Sequence, residues 1–291
     1  MAKILVLSLI KLLKVSVALV ALAYASACLY LFFWQNHVIF FPSSIIEITP
    51  ATFASFEDVW LPVLNSPGQV ERIHGWWIPG KGQRTLLYLH GNGINIGANV
   101  AHAIRLHKLG FSVLLIDYRG YGRSEGKFPT EKSVYRDAET AWNYLIKERQ
   151  ISPKDIFIYG HSLGGAIAID LAVQHPDAAA LIVQSSFTSM GQMVNERPTF
   201  RIFPTNLILR QRFDSIRKVR LLKMPVLFIH GMDDSVVPYR MSQMLFAAAP
   251  EPKQLFLVPK ADHNNVADIA GVKYLQTVQK FVLLAAPKTN K

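Results

Sequence analysis

One serine in this chain has the sequence surroundings of a catalytic nucleophile. Ser162 lies in the stretch Gly-His-Ser-Leu-Gly, residues 160–164, between an apolar, β-prone run at 156–158 and an apolar, helix-prone run at 166–173. A serine at so sharp a strand-to-helix turn has a strained backbone and an exposed hydroxyl, and the flanking glycines leave room for the turn. The pattern predicts a nucleophile elbow; the alternative is a Gly-rich turn with an incidental serine.

A serine hydroxyl is a weak nucleophile and needs a histidine base, which an acidic side chain must orient. His263 follows the last predicted strand, where the base belongs if the parts occur in the order serine, acid, histidine. His230 is less suitable, because it ends a strand and no acid lies on a suitable strand end between it and the elbow. The loop after the strand at 225–229 offers two neighbouring acids, Asp233 and Asp234.

A tetrahedral intermediate also needs two backbone N–H donors for its oxyanion. Leu163, directly after the serine, supplies one at a helix N-terminus. The loop His-Gly-Asn-Gly, residues 90–93, follows a buried strand and makes Asn92 the second candidate, with an ordinary Gly-rich turn as the alternative. We interpret Asp117 as structural, ordering its loop and pairing with Arg119. The histidine and aspartate spacing indicates no metal site, and no phosphate-binding motif predicts a cofactor.

The elements that carry these residues alternate between strands and helices. Continuous apolar runs are typical of strands buried on both faces, and the alternation predicts a mainly parallel sheet with helices on both faces, after an N-terminal hairpin whose break is at 65–68. The predicted strands are 59–64, 73–78, 85–89, 111–116, 156–159, 179–184, 225–229 and 254–258. The predicted helices are 98–109, 130–149, 166–173, 241–249 and 268–284.

Residues 185–223 are too long for an ordinary connection and are predicted to form a lid. The lid mixes apolar side chains with eight basic residues, against only two acidic ones. That mixture suits a surface resting on anionic lipid headgroups with an apolar mouth for an acyl chain. A packed lid with merely solvated charges is the alternative. The basic residues are Arg197, Arg201, Arg210, Arg212, Arg217, Lys218, Arg220 and Lys223.

Residues 15–34 form an uncharged stretch of the length that crosses one hydrocarbon core as a helix. Lys3, Lys11 and Lys14 precede it, so the positive-inside rule places the N-terminus in the cytoplasm and the rest of the chain on the other side. A cleaved signal peptide, or lipidation of Cys28 after cleavage, is the alternative. We therefore divide the chain into an anchor at 1–34, a linker at 35–54 and a catalytic domain at 55–291.

Composition limits the remaining possibilities. In 291 residues the chain has one cysteine, which excludes an internal disulfide framework, and a net charge of +11. A basic surface suits anionic membranes or nucleic acid, and because no nucleic-acid motif occurs we expect the membrane as the partner. A solvated basic face without a partner is the alternative.

Five motifs in order resemble the α/β-hydrolase superfamily, and the resemblance covers residues from about 55 to the end. They are HGNG at 90–93, DYRGYGRSEG at 117–126, GHSLGG at 160–165, HGMDDSVVP at 230–238 and ADHNN at 261–265. The pattern Gly-x-x-Asp-x-x-Val-Pro, seen in many such hydrolases, places the acid three residues after the glycine. It therefore favours Asp234 over Asp233. The chain is more similar still to membrane-anchored α/β-hydrolase-domain proteins, which share a Q-x-x-x-I-F-x-P segment, here residues 35–42.

The resemblance implies an α/β-hydrolase fold and hydrolysis of ester, thioester or lipid substrates by Ser162, Asp234 and His263, with Asn92 and Leu163 as oxyanion donors. A serine peptidase of similar fold is the first alternative, although the chain lacks the large extra domain that many such peptidases use to restrict access. A non-catalytic membrane-tethered scaffold is the second. Haloalkane and epoxide hydrolases carry an aspartate at the elbow, so Ser162 argues against them.

Overall fold

An eight-stranded sheet organises the residues that the computed structural model describes, which are 2–64 and 68–285. Most of the predicted hairpin break at 65–68 lies outside the described residues. The strands are β1 (Phe41–Pro42), β2 (Glu57–Leu64), β3 (Val70–Ile78), β4 (Thr85–Leu89), β5 (Gly93–Ile94), β6 (Ser112–Ile116), β7 (Ile156–His161), β8 (Ala180–Gln184), β9 (Val226–Gly231) and β10 (Lys253–Val258).

Helices precede, connect and follow these strands. They are α1 (Ala2–Ile39), α2 (Val100–His107), α3 (Glu131–Lys147), α4 (Leu163–Gln174), α5 (Met190–Asn195), α6 (Thr205–Ile208), α7 (Ser215–Lys218), α8 (Arg240–Ala248), α9 (Val266–Ala270) and α10 (Val272–Ala285). Thr130 begins α3 with a reciprocal capping box, because its side chain accepts from the Ser133 N–H while the Ser133 hydroxyl oxygen accepts from the Thr130 N–H.

The large sheet has the strand order β10-β9-β8-β7-β4-β6-β3-β2. The strands from β6 through β4 to β10 pair in parallel, whereas β3 is antiparallel to both β2 and β6. Because the helical connections return each parallel strand in the same direction, the carboxyl ends of β4, β7, β9 and β10 lie along one edge. The α/β-hydrolase fold with a mostly parallel sheet, expected from the motifs, is what the chain adopts.

Two apolar cores cover the two faces of the sheet. On one face α3 and α4 pack with Val134, Ala138 and Ala166 against the strands. On the other face α2 and α10 contribute Val100 and Tyr274. The parallel strands β4, β6, β8 and β9 are buried along their whole length. This explains why they are uninterrupted apolar runs in the sequence.

Three features differ from the sequence-based expectations. The closing helix predicted at 268–284 is two helices, α9 and α10, because Gly271 between them has a φ of +53°, which a helix cannot continue through. The N-terminal helix α1 continues past residue 34 to Ile39. A short parallel pair, Phe41↔Gly93 and Pro42↔Ile94, joins the segment after α1 to the loop after β4, and no sequence pattern predicted it.

Candidate active site

The serine at the end of β7 has the backbone that an elbow requires. Ser162 has φ 55° and ψ −120°, in the positive-φ region that side chains rarely adopt, and it directly precedes α4. A Cβ on Gly160 would lie 2.2 Å from the carbonyl oxygen of Gly164, and a Cβ on Gly164 would lie 2.1 Å from that of Leu89. Glycine is therefore the residue that lets strand, turn and helix approach so closely.

The three candidate catalytic side chains lie in hydrogen-bonding contact. The Nε2 atom of His263 is 2.9 Å from the Ser162 hydroxyl oxygen, and its Nδ1 atom is 2.7 Å from Oδ2 of Asp234. The backbone N–H of His263 donates to the Asp262 carboxylate at 2.7 Å, which fixes the start of the histidine loop. Asp233, the alternative acid, is exposed, whereas the side chain of Asp234 is fully buried.

Several donors hold the Asp234 carboxylate in place. Its Oδ1 accepts the backbone N–H groups of Val236 at 2.9 Å and Val237 at 2.7 Å. Its Oδ2 lies 3.0 Å from Nε2 of the buried His230, whose Nδ1 lies 2.6 Å from the Ser242 hydroxyl. The contacts at both carboxylate oxygens thus hold Oδ2 toward His263.

The same contacts control the charge on this carboxylate. Burial alone would raise the pKa of Asp234, but the hydrogen bonds from His230 and His263, together with the charge of His263, outweigh it and hold the pKa well below its usual range. Asp234 is therefore ionised at neutral pH. A buried anion beside Nδ1 favours the tautomer in which Nε2 of His263 is free to accept a proton from the serine.

A second histidine lies directly behind the triad candidates. His161 donates from Nε2 to the carbonyl oxygen of His263 at 3.2 Å, and the two rings lie 5.1 Å apart. Burial, and then the charge of His263, lower the pKa of His161 to about 3. A neutral imidazole at this position supports the histidine loop without adding a competing positive charge.

The two candidate oxyanion donors, Asn92 and Leu163, line the same pocket as Ser162. Among the hydrogen bonds of the described residues, neither of their backbone N–H groups has a partner. The carbonyl oxygen of Asn92 accepts the Phe41 N–H at 2.9 Å and the Tyr121 hydroxyl at 2.8 Å, which leaves the loop little freedom. Two candidate donors without a partner among the described residues therefore lie at the pocket that contains the serine.

Asp117 lies deeper, at the end of β6. Its Oδ1 accepts the backbone N–H of Ile96 at 2.9 Å and lies 3.4 Å from His90 Nε2. Arg119 forms ion pairs with Asp137 at 2.7 Å and Glu71 at 3.1 Å. Asp117 therefore orders the loop after β5, as a structural residue would.

A cavity of about 330 Å³ leads away from the serine, a size typical of small-molecule sites. Its lining is mainly apolar and comes from three parts of the chain: the end of α1, the loops at the sheet edge and the lid at 185–223. The α1 residues are Leu31, Gln35, Val38 and Ile39, and the lid contributes Met190, Met193, Val194, Phe200, Phe203, Ile208 and Leu209 among others.

The structure thus brings together Ser162, Asp234, His263, Asn92 and Leu163 at one edge of the sheet. Sequence reasoning missed the supporting histidines at 161 and 230. His230 precedes Asp234 by four residues in HGMDD, and this spacing is a signal for its supporting role, although sequence reasoning weighs His230 only as a base. It also missed the contribution of α1 to the pocket, although the Q-x-x-x-I-F-x-P segment at 35–42 marked the place.

Comparison with known proteins supports the fold and the family. A family model described as serine aminopeptidase, S33, matches residues 80–213. An uncharacterized protein of Mycobacterium tuberculosis is 33% identical over 91% of this chain and 93% of its own length. The α/β-hydrolase domain-containing protein WAV2 of Arabidopsis thaliana is 31% identical over 89% of this chain and 90% of its own. Human α/β-hydrolase domain-containing protein 17B is 35% identical over 68% of this chain and 66% of its own length.

Among solved structures, an esterase of Pyrococcus furiosus superposes with a TM-score of 0.70 at 19% identity, over 86% of this chain and 99% of that one. At this identity the superposition establishes the fold. The fold and the relatives that are named as α/β-hydrolase domain-containing proteins agree, and the chain belongs to the α/β-hydrolase superfamily.

Proposed function

We propose that this protein is a membrane-anchored serine hydrolase that cleaves carboxylic-ester or thioester bonds of lipid or otherwise acylated substrates. The observation that carries the proposal is the contact of His263 Nε2 with the Ser162 hydroxyl at 2.9 Å, with Asp234 at 2.7 Å behind it. The named esterase among the structural neighbours supports the same reaction class.

In the proposed reaction, Ser162 Oγ attacks the acyl carbonyl while its proton passes to Nε2 of His263. The carbonyl oxygen becomes an oxyanion, which the backbone N–H groups of Asn92 and Leu163 stabilise. Collapse of the intermediate breaks the bond to the alcohol or thiol, which leaves with the proton from His263. Water then attacks the acyl-enzyme and gives one proton to His263, which passes it to Ser162 as the carboxylic acid is released and loses its own proton to solvent. Asp234 stays ionised throughout.

An ester or thioester substrate explains the pocket better than a peptide. The family description of a serine aminopeptidase is the observation that favours peptide hydrolysis. However, among the described residues that line the pocket there is no carboxylate to pair with a peptide amino terminus, and the charged side chain there is Arg197. The lining of methionine, phenylalanine and leucine side chains instead suits an acyl chain.

The membrane anchor is the second part of the proposal. Lys3–Ile39 is long and apolar enough to cross a bilayer. With Lys3, Lys11 and Lys14 on the cytoplasmic side, α1 crosses once and the catalytic domain, from about residue 55, lies on the other side. Protease added to sealed cells or right-side-out vesicles should then digest the catalytic domain and leave an N-terminal tag protected.

A panel of substrates with one acyl group tests the reaction. The full-length protein in detergent micelles is given the ester, the thioester and the amide of the same acyl group. We expect turnover of the ester or thioester, none of the amide, and none of any substrate with Ser162→Ala. Amide turnover would support the peptidase instead. No turnover together with no labelling of the protein by a fluorophosphonate would support the scaffold.

A further inference from the structure

The end of the N-terminal helix is part of the pocket wall. Leu31 and Val38 on α1, with Ile39 at its end, line the cavity that contains Ser162. Leu29, two residues before Leu31 and therefore on a different face of the helix, is 58% exposed and is not in the lining. A segment that a sequence-based division assigns to an anchor and a linker therefore contributes directly to the binding site.

A buried glutamine fixes the lid to this helix. The side-chain Nε2 of Gln35 donates to the carbonyl oxygens of Phe32 at 2.8 Å and Ile208 at 3.1 Å. Its Oε1 accepts the backbone N–H groups of Arg210 at 2.7 Å and Gln211 at 3.0 Å. One side chain thus satisfies three backbone groups of the lid, which are costly to leave unpaired when buried.

The next residues connect the helix to the oxyanion loop. The Asn92 side-chain Nδ2 donates to the carbonyl oxygen of Ile39 at 2.9 Å. The Phe41 N–H donates to the Asn92 carbonyl oxygen at 2.9 Å, within the short parallel pair of β1 with β5. The end of the helix, the lid and the candidate oxyanion donor therefore form one connected unit.

The lid contacts the helix at a second place, much nearer its N-terminus. Tyr24 donates from its hydroxyl to the carbonyl oxygen of Ile202 at 2.8 Å and stacks on Phe203 with ring centroids 5.9 Å apart. Phe203 also lines the pocket. The pocket that contains Ser162 therefore extends to Phe203, which contacts the side of the helix at Tyr24.

Tyr24 lies in the middle of the uncharged stretch at 15–34. A hydrocarbon core of about 30 Å takes about 20 helical residues, and moving it toward the N-terminus would bury Lys11 and Lys14 at high cost. The lid residues that contact Tyr24, Ile202 and Phe203, then lie within the hydrocarbon core beside the helix.

The surface of this lid tip, residues 200–209, suits such a position. Ile202 is 68% exposed and Leu207 is 80% exposed, and both would face water in a soluble protein. Within the tip the charged residue is Arg201, and its Nε donates back to the carbonyl oxygen of Asn195, toward the rest of the lid. This hydrogen bond pairs part of the guanidinium group within the protein.

We propose that the pocket takes its substrate sideways from the bilayer, as a membrane-resident acyl lipid whose chain lies between α1 and the lid tip. This inference rests on the proposed hydrolase function and assigns its substrate class and entry route. Leu31 and Val38 are then specificity-determining residues for the acyl chain. Gln35 is a positioning residue, which holds the two walls of the entry route together.

The test compares a lipid with a water-soluble substrate on one protein. Full-length protein is reconstituted into phosphatidylcholine vesicles and given either a fluorogenic long-chain lipid ester dissolved in the bilayer or a nitrophenyl acetate in water. Leu31→Trp places a larger side chain in the space proposed for the acyl chain. The ratio of lipid to acetate turnover should therefore fall by about tenfold, which corresponds to about 1.4 kcal/mol. Leu29→Trp, the same change on the outer face, should keep the wild-type ratio.

A second variant examines the lid tip. Leu207→Asp places a charge where the proposal puts hydrocarbon, so the ratio should again fall, whereas Leu64→Asp, at the exposed end of β2, should not change it. Equal ratios in Leu31→Trp and Leu29→Trp, or in Leu207→Asp and wild type, would overturn the inference. If wild type hydrolyses neither substrate and a fluorophosphonate does not label it, the proposed function itself has failed. Labelling of each variant by the fluorophosphonate checks that its site is folded.

Discussion

The edge of the sheet and the wall of the pocket are built in different ways. At the sheet edge, the buried side chains of Ser162, Asp234 and His263 follow β7, β9 and β10 and contact one another, and Asp234 also accepts two backbone N–H groups. The wall consists of the end of α1 and the lid, and the contacts described for it, such as Gln35 to Ile208, join segments far apart in the chain. From this difference we expect the sheet edge to govern the proposed chemistry and the helix with the lid to govern which substrates enter.

The comparison predicts separate kinetic effects for the two regions. A change at the sheet edge should lower turnover of every substrate alike, because all of them share the transition-state contacts. A change in the wall should mainly affect substrates with long acyl chains.

The largest effect is expected from the acid. Asp234→Asn keeps the shape but removes the charge that orients His263, so kcat should fall by roughly 10³- to 10⁴-fold for short and long esters alike. Asp233→Asn is the matched control: the neighbouring carboxylate is exposed, and its loss should leave kcat within about twofold of wild type. Equal losses in the two variants, or near-normal turnover in Asp234→Asn, would contradict the assignment.

The sheet edge could be derived from the sequence, since each of its parts is local. Gly-rich turns after apolar strands mark Ser162 and Asn92, and the loop after the last strand contains His263. The wall could not be derived, because the contact of Gln35 with the lid joins positions separated by 173 residues, and a hydropathy pattern records only that α1 is apolar. The break at Gly271 was missed for a similar reason: a glycine within a helical pattern is compatible with both one helix and two.

A smaller effect is expected from the contact between helix and lid. Gln35→Ala removes hydrogen bonds to three backbone groups of the lid, so kcat/KM for a long-chain ester should fall by roughly tenfold, chiefly through KM. Gln35→Glu keeps an acceptor for Arg210 and Gln211 and should recover part of the loss. Gln243→Ala, the same change at an exposed position of α8, should have no effect. A uniform loss over all acyl lengths would mean that Gln35 supports the whole fold instead.

The last prediction concerns stability in acid. Because the pKa of His161 falls from 6.5 to about 3 on folding, the unfolded chain binds a proton that the native protein does not between those values. The free energy of unfolding therefore decreases as the pH falls through this window, by up to about 1.4 kcal/mol per pH unit from this residue. His161→Gln should reduce that slope in urea unfolding between pH 6 and pH 4. An unchanged slope would show that His161 is not held neutral by the fold.

Covalent labelling shows whether Ser162 is a nucleophile that His263 activates. Full-length protein is treated with a fluorophosphonate, digested, and the modified residue is located by mass spectrometry. We expect a single adduct on Ser162, with no adduct in Ser162→Ala and strongly slowed labelling in His263→Ala. An unmodified Ser162, or labelling at an undiminished rate without His263, would contradict it.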